Sequence, residues 1–242
     1  MGPDVYLSII IPAYKCGLIL EKNLPDFITH LKSLNINYEI VVVDDGSNDG
    51  GLIKNVAEKS GCRYLASPAN KGKGAAIKLG IKESQGKFKL FTDADIPYEY
   101  EAIATMLHYL DEKEFDMVVG DRKMHRSIYY EDMSWLRNIG SKVFSAVVGL
   151  FIVGGWYDTQ CGIKAFRKES ADTLFGLSKI NGFAMDVELF YLALKRDYDI
   201  KRISVKLRST DGKSVRLLKH GILMVADLLR ILFFQLSGKY RV

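Results

Sequence analysis

The chain has 242 residues and a formal net charge of +5, with 48% hydrophobic and 26% charged residues. This composition is typical of a soluble globular protein, and the charge is far from the clustered arginine runs of a nucleic-acid-binding protein. Three cysteines without a CxxC pair argue against a disulfide framework and favour reduced thiols in a cytoplasmic protein. No signal peptide is visible, and no run of about 20 apolar residues occurs, so we expect no segment to span a bilayer.

The first half of the chain alternates between strand and helix patterns. Strands are predicted at 6–12, 38–45, 62–66, 87–93 and 115–120, and helices at 18–33, 50–60, 72–84 and 99–112. This alternation predicts right-handed βαβ units and an α/β fold with a mostly parallel sheet. Ligands bind beyond the carboxyl ends of the strands in such sheets. The polar clusters after the first, second and fourth strands should therefore form one site.

The second half, from residue 121 to 242, is less regular. Strands are predicted at 163–167 and 200–207, and helices at 134–151, 183–196 and 216–236. We interpret 1–242 as one domain in which residues 1–120 bind a first substrate. The later elements then cover the site and receive a second substrate.

Two segments near the predicted site are rich in turn residues and glycine. DDGSNDGG (44–51) is typical of a turn, yet Asp44 at a strand end also suits hydrogen bonding to a base or ribose. NKGKGAAIKLG (70–80) opens a helix, where backbone N–H groups and lysines suit a phosphate. It is neither a Walker loop nor a dinucleotide fingerprint. Lys71 and Lys73 are either solvated or directed at the same edge of the sheet.

TDADIPY (92–98) places two aspartates at the end of a strand. Asp95 could begin the next helix as a cap, which would leave Asp93 unexplained. A phosphatase-type nucleophile pair normally lies near the start of the chain and continues differently, whereas Ile96-Pro97 follows here in mid-sequence. Mg²⁺ or Mn²⁺ takes a few carboxylate oxygens together with substrate phosphates. We favour this metal-binding interpretation because it also relieves the repulsion between the carboxylates.

Two later helices are amphipathic. At about 100° per residue, the helix at 216–236 places its polar residues on one narrow stripe, namely Arg216, Lys219, His220, Asp227 and Arg230. The helix at 134–151 places Arg137 and Ser141 on one face, one turn apart. The wide apolar face of each helix either packs on the domain or lies on a membrane surface.

The ordered motifs IIIPAYK, VVVDDGSNDG, NKGKGAAI and FTDADIP resemble the nucleotide-sugar half of inverting glycosyltransferases of the second sequence family, which have the GT-A fold. DTQCGIKAFRKESADTLF (158–175) and GFAMDVELFYLAL (182–194) look like the dolichyl-phosphate glucosyltransferases and their polyprenyl-phosphate relatives, which include dolichyl-phosphate mannose synthases. The resemblance covers nearly the whole chain. It implies a GT-A sheet flanked by helices, with amphipathic helices near the C-terminus.

The resemblance assigns residues to the donor and the metal. The residues that would bind the donor are Pro12, Ala13, Tyr14, Asp44, Asp45, Lys73, Asp93 and Ala94. Asp93 and Asp95 match the DxD-type metal motif, with Asp95 the more direct ligand and a role in catalysis. One departure is that Lys15-Cys16 replaces the usual Asn-Glu, which places the acidic contact there in doubt.

The resemblance also assigns residues to the acceptor. The positions that would hold its phosphate are Arg122, Arg137, Ser141, Lys213 and Arg216, and by holding the acceptor in line Arg122 and Arg137 would also be catalytic residues. Lys213 and Arg216 flank Val215, which stands where relatives carry a lysine. Asp158, which opens DTQCG, would lie near the acceptor as a catalytic residue unless it is a structural cap. Asp186 and Glu188 should point apart on a helix, so that only one faces the site.

These features predict a metal-dependent enzyme that uses Mg²⁺ or Mn²⁺ and moves one sugar from a nucleotide to dolichyl or polyprenyl phosphate. By resemblance, glucose from UDP-glucose is the favoured donor. Mannose from GDP-mannose, or a saccharide or protein acceptor, remains an alternative. We expect no nucleic-acid partner and peripheral association with the cytoplasmic face of a membrane. The sequence does not determine the prenol length, the oligomeric state or the pathway.

Overall fold

The computed structural model describes residues 4–128, 158–208 and 217–240, with the side chains of residues 217–222 outside the description. The strands are β1 (Leu7–Ala13), β2 (Tyr38–Asp44), β3 (Arg63–Ala66), β4 (Phe88–Thr92), β5 (Met117–Asp121), β6 (Ile163–Arg167) and β7 (Ile200–Ser204). The helices are α1 (Gly17–Ser33), α2 (Leu52–Lys59), α3 (Lys73–Glu83), α4 (Glu101–Asp111), α5 (Lys168–Leu177), α6 (Met185–Lys195) and α7 (Leu217–Leu236).

The seven strands form one sheet in the order β3-β2-β1-β4-β6-β5-β7. All neighbouring strands are parallel except β6, which runs antiparallel to both β4 and β5. The predicted mostly parallel sheet flanked by helices is therefore confirmed. The sheet also crosses the predicted division at residues 120 and 121, since β6 from the second half lies between β4 and β5 from the first.

The core lies on both faces of this sheet because the strands are buried on both sides. In β1, Ile9 and Ile11 pack in the layer of α1, α2 and α4, whereas Ile10 packs in the layer of α3, α5 and α6. This division follows from the two-residue period of strand side chains. Each such isoleucine contributes about 1.5–3 kcal/mol by leaving water, so the uninterrupted apolar runs of the sequence become central strands.

The antiparallel strand β6 brings a later loop to the active edge of the sheet. Ile163, its first residue, lies opposite Thr92, the last residue of β4. The preceding residues, 158–162, therefore lie beside the aspartates that follow β4. The other neighbour of β6 is β5, whose carboxyl end is Asp121. One antiparallel strand thus joins the two halves of the predicted site.

One helix in the structure was not predicted from the sequence. Helix α5 follows β6 directly, and it buries Ser170, Ala171, Leu174 and Phe175 against the sheet. The spacing of these residues is helical, so the signal was present inside a segment that we interpreted only as a family motif. The predicted helix at 134–151 lies outside the described residues.

The C-terminal helix α7 buries one face and exposes another. Leu228 and Ile231 pack in the core, and Asp227 is also buried, where its Oδ2 would lie 2.7 Å from a Cβ placed on Gly182. Asp227 therefore points inward. Arg230, on the same predicted polar stripe, is 67% exposed, and its Nη1 donates a 3.0 Å hydrogen bond to Asp227 Oδ1.

The exposed face of α7 is apolar. Val225, Leu229, Phe233 and Leu236 follow the helical repeat and are between 54% and 87% exposed. Within the described parts of the chain, no helix is both long and apolar enough to cross a bilayer.

Candidate active site

The carboxyl ends of β1, β2 and β4 lie side by side at one edge of the sheet. The chain places β2 on one side of β1 and β4 on the other, so the strand order reverses between β1 and β4. A crevice at such a reversal is where open α/β sheets bind ligands. The predicted residues that end or follow these strands are Pro12, Ala13, Tyr14, Asp44, Asp45, Asp93, Ala94 and Asp95.

Asp44 is buried at the end of β2, and its two carboxylate oxygens have different partners. Oδ1 accepts a hydrogen bond from the backbone N–H of Ser47 at 2.8 Å, and Oδ2 accepts one from the Tyr64 hydroxyl at 3.0 Å. Burial and this bond to Asp44 raise the pKa of Tyr64 to about 12. Each carboxylate oxygen can accept two hydrogen bonds, so contact between Asp44 and a nucleoside stays a prediction.

Asp45 holds the loop that leads into α3. Its Oδ1 and Oδ2 accept hydrogen bonds from the backbone N–H groups of Lys71 and Gly72, at 2.9 and 2.7 Å. Gly46 permits this approach, since it has a φ of 71° and a Cβ there would lie 2.5 Å from the backbone of Ala69. Asp45 thus shapes the site through this loop, and its direct contact with the donor stays a prediction.

Lys73, the first residue of α3, forms an ion pair with Asp93. Its Nζ lies 2.5 Å from Asp93 Oδ1, with side-chain exposures of 18% and 35%. Gly162 makes room for this carboxylate, because a Cβ at Gly162 would lie 2.0 Å from Asp93 Oδ2. The structure therefore brings together two predicted donor residues and adds Gly162, which the sequence analysis did not identify.

The charge state of Lys73 follows from its neighbours. Burial lowers its pKa, but the carboxylates of Asp93 and Asp186 and the hydrogen bond to Asp93 together raise the pKa above its ordinary value. Lys73 is therefore an ammonium at neutral pH. A cation at the first turn of a glycine-flanked helix is suited to a phosphate group.

A strained turn follows the two aspartates. Ile96 has a φ of 43°, which a β-branched residue rarely adopts, and its N–H donates a 3.0 Å hydrogen bond to the Asp93 carbonyl. The Ile96 side chain is buried in the core on the α1 and α4 side of the sheet, and this packing offsets the strain. Strain at this point fixes the direction in which the chain leaves Asp95.

Asp93 and Asp95 supply the oxygen ligands that Mg²⁺ and Mn²⁺ prefer. Such ions are often held by one or two carboxylates and complete their shell with water and substrate phosphates. Among the described residues, no group of three or more His, Cys, Asp or Glu side chains could hold a metal. The two carboxylates by themselves fit a divalent ion that shares its shell with water and a diphosphate.

Asp158 and Arg122, both predicted to lie near the acceptor, form a buried pair. Arg122 Nη2 and Nε donate to the Asp158 carboxylate at 2.6 and 3.0 Å, and the Arg122 backbone N–H donates to Oδ2 at 2.7 Å. Burial raises the pKa of Asp158, but the bonds and charge of Arg122 outweigh it and hold this pKa below its ordinary value. Asp158 is thus a fixed carboxylate that orients Arg122, and it is poorly suited to accept a proton.

Lys164 is a fully buried lysine that the sequence analysis missed. Its Nζ donates to Asp186 Oδ1 at 2.6 Å and to the Cys161 carbonyl at 2.7 Å. It also lies over the rings of Phe91 and Phe190, at 5.4 and 5.9 Å. A lysine inside the apolar strand sequence IKAFR was the available signal, because such a residue needs a buried anionic partner.

Asp186 and Glu188 point apart, as predicted. Asp186 accepts a hydrogen bond from Lys164, and its charge acts on Lys73. Glu188 instead accepts hydrogen bonds from Ser178 Oγ, the backbone N–H groups of 179 and 180, and the Tyr240 hydroxyl, at 2.5, 2.8, 2.9 and 2.6 Å. Glu188 therefore anchors the loop before α6 and the end of the described chain, and Asp186 is the one near the site.

Four predicted acceptor residues cannot be placed. Arg137, Ser141, Lys213 and Arg216 lie outside the described residues. Their assignment stays a prediction.

Comparison with known proteins shows which proteins this chain is similar to. The sequence pattern of glycosyl transferase family 2 matches residues 8–175. A dolichyl-phosphate beta-glucosyltransferase of Dictyostelium discoideum is 35% identical over 99% of this chain and 77% of its own length. One of Drosophila melanogaster is 31% identical over 100% and 78%. The structure of glucosyl-3-phosphoglycerate synthase from Mycobacterium tuberculosis, in complex with Mn²⁺ and UDP-glucose, superimposes with a TM-score of 0.70 at 18% identity, over 94% and 79% of the two chains.

The buried pair of Arg122 and Asp158 predicts that a substitution of Asp158 reduces stability in a pH-dependent way. Replacing Asp158 by Asn removes the carboxylate that holds Arg122, and we expect the free energy of unfolding at pH 7 to fall by about 2–4 kcal/mol. The pKa of Asp158 is lower in the folded protein than in the unfolded chain. Its contribution to stability is therefore complete above the pKa of the unfolded chain and is lost as the pH falls through the pKa of the folded protein. Urea unfolding of both proteins from pH 7 to pH 3 should therefore show the difference shrinking below about pH 4.

Asp26→Asn is the matched control, since this side chain is 76% exposed. Equal losses for Asp158→Asn and Asp26→Asn, or a loss for Asp158→Asn that stays constant with pH, would contradict the role of the pair.

Proposed function

Because this chain belongs to glycosyl transferase family 2, we propose that it transfers glucose from UDP-glucose to dolichyl phosphate or a related polyprenyl phosphate, with inversion at the anomeric carbon. The observation that carries the proposal is the ion pair of Lys73 with Asp93, two residues before Asp95, at the crevice between β1 and β4. The curated relatives above support the acceptor and the sugar. They are named for transfer of glucose to dolichyl phosphate with a beta product.

The donor would lie across the ends of β1, β2 and β4. Asp44 has acceptor capacity for the base or ribose, and the glycine-flanked loop held by Asp45 faces the phosphates with the charge of Lys73. Asp93 and Asp95 would hold a divalent metal, which neutralises the charge that develops on the departing diphosphate. The bond that breaks joins the anomeric carbon to the terminal oxygen of that diphosphate.

The acceptor would supply the attacking oxygen. A lipid phosphate is already anionic near neutral pH, so the site needs no strong general base, and the depressed pKa of Asp158 is consistent with this chemistry. Asp158 leaves Arg122 cationic and fixed in orientation, so that this guanidinium can position the phosphate opposite the leaving group. Arg122 is then an acceptor-binding residue, and Asp158 is a positioning residue.

The metal is Mg²⁺ or Mn²⁺. Both ions accept two carboxylates together with phosphate oxygens, so the residues present suit either. The bacterial synthase above binds Mn²⁺ with UDP-glucose, which supports Mn²⁺ as the first ion to test.

Helix α7 suits a membrane-bound acceptor. Its exposed apolar stripe of Val225, Leu229, Phe233 and Leu236 is accompanied by Arg230 and by Lys239, whose Nζ lies 5.4 Å from the centre of the Phe233 ring. Apolar side chains with basic neighbours bind the interface of anionic bilayers. The stripe would hold the enzyme at the cytoplasmic face of a membrane while the lipid phosphate reaches the crevice.

The proposed reaction is tested by the transfer of labelled sugar into an organic-extractable lipid. Dolichyl phosphate would be supplied with Mn²⁺ or Mg²⁺ and, in parallel, UDP-glucose, UDP-galactose, UDP-N-acetylglucosamine or GDP-mannose. We expect metal-dependent label in the lipid phase from UDP-glucose. Asp95→Asn should reduce it by about a hundredfold or more, because a carboxylate that stabilises transition-state charge is lost.

Asp26→Asn is again the control, since it changes the same functional group at an exposed position far from the crevice in sequence. Label from GDP-mannose alone would favour the mannose alternative. Label found only in water-soluble products would overturn the lipid acceptor, and full activity of Asp95→Asn would overturn the metal assignment.

The membrane proposal predicts weaker binding to vesicles when the stripe is charged. We expect Leu229→Asp with Phe233→Asp to reduce co-sedimentation with phosphatidylcholine–phosphatidylserine vesicles by about tenfold or more, since two buried apolar contacts are lost. Gln235→Asp adds a charge at another exposed position of the same helix and should have a much smaller effect. Equal binding by all three proteins would contradict a membrane role for this face.

A further inference from the structure

Lys73 forms an ion pair with Asp93, one of the two carboxylates that would bind the proposed metal. Its ammonium is 2.5 Å from Asp93 Oδ1, so one of the two carboxylates of the DxD pair already has a cation against it. A divalent ion bound to the same oxygen would repel this ammonium strongly at such a distance. Metal binding at this oxygen of Asp93 therefore requires Lys73 to leave it.

A second carboxylate lies close to Lys73. Asp186 is buried at the first turn of α6, and the residues just before this helix, Asn181 and Gly182, lie against Gly72 and Gly74 on either side of Lys73. Oδ1 of Asp186 accepts a hydrogen bond from Lys164. Within the ranges that the structure describes, Oδ2 of Asp186 has no hydrogen-bond partner, so this oxygen can receive an ammonium.

The surroundings allow the side chain of Lys73 to move while its backbone stays in place. Asp45 bonds the N–H of Gly72, and the N–H of Ala75 donates to the Asn181 carbonyl at 3.2 Å. Asp93 is confined on its other side by Gly162. The four-carbon stem of Lys73 is therefore the part of this cluster that is free to change its contacts.

We propose that Lys73 occupies Asp93 as an internal cation in the metal-free enzyme and transfers to Asp186 when a divalent metal binds Asp93 and Asp95. This inference rests on the proposed function, because it takes the metal from it. The exchange makes Asp186 a positioning residue for Lys73. It also leaves the ammonium beside the metal, where the diphosphate of the donor arrives.

The charge of the ion supports the same exchange. A divalent metal brings two positive charges to Asp93 in place of the single charge of Lys73, and the ammonium stays within the site. The site therefore gains positive charge when the metal binds, which favours the arrival of a diphosphate.

The test is the affinity for Mn²⁺ without nucleotide, measured from the loss of the free-ion signal in electron paramagnetic resonance. Removing the internal cation should expose Asp93, so Lys73→Met should bind Mn²⁺ roughly fivefold more tightly than the unaltered enzyme or better. Asp186→Asn should bind it more weakly, because Lys73 then has no second partner. Lys73→Arg keeps the charge and should stay near the unaltered affinity.

Lys71→Met is the matched control, since it removes an exposed lysine from the same loop, and its effect on Mn²⁺ affinity should be less than about twofold. Each variant is first checked for folding by its thermal unfolding curve. Unchanged or weaker Mn²⁺ binding by a folded Lys73→Met enzyme would overturn the exchange while leaving the transferase proposal intact. An enzyme that binds no Mn²⁺ in any variant, with or without UDP, would overturn the exchange and the metal assignment together.

Discussion

Three carboxylates crowd one edge of the sheet, and the site depends on the cations that separate them. Lys164 neutralises Asp186 inside the core, and Lys73 neutralises Asp93 at the crevice. Without Lys164 the fold would bury the charge of Asp186 with no partner, which costs several kcal/mol, whereas the pairing of the 35% exposed Asp93 is worth less. Asp93 and Asp95 at the same edge are the oxygen ligands that a divalent metal would share with a diphosphate.

The acceptor side depends on the reversed direction of β6. A parallel strand in this position would place residues 158–162 at the opposite edge of the sheet. Because β6 is antiparallel, Asp158 and Gly162 precede it at the active edge, where one orients Arg122 and the other makes room for Asp93. Residues from distant parts of the chain that we assign to the donor and to the acceptor therefore meet beside a single strand.

Much of this architecture can be predicted from the sequence because its causes are local. Buried strands such as IVVV are continuous apolar runs, and a polar residue at a strand end in an α/β pattern indicates the ligand edge. Asp93 and Asp95 are identified in this way. The amphipathic C-terminal helix is also readable, although Asp227 faces the core at Gly182 and not solvent.

The remaining features depend on contacts between residues far apart in the chain. The pairing of Lys164 with Asp186, and the confinement of Asp93 by Gly162, arise only when β6 lies against β4. Burial alone also does not distinguish Asp186 from Glu188, since both are buried on α6 and only their partners separate them. Such partner choices follow from tertiary packing, and periodicity does not encode them.

The central claim is that Asp93 and Asp95 hold the metal that receives the diphosphate of the donor. Crystals grown with UDP and Mn²⁺, with diffraction recorded at the manganese absorption edge, would locate the ion by its anomalous scattering. We predict one strong peak within coordination distance of both the aspartate pair and the diphosphate, with the Lys73 ammonium no longer on Asp93. A manganese peak elsewhere in the molecule, or a bound UDP with Lys73 still paired to Asp93 and no metal beside it, would contradict the account.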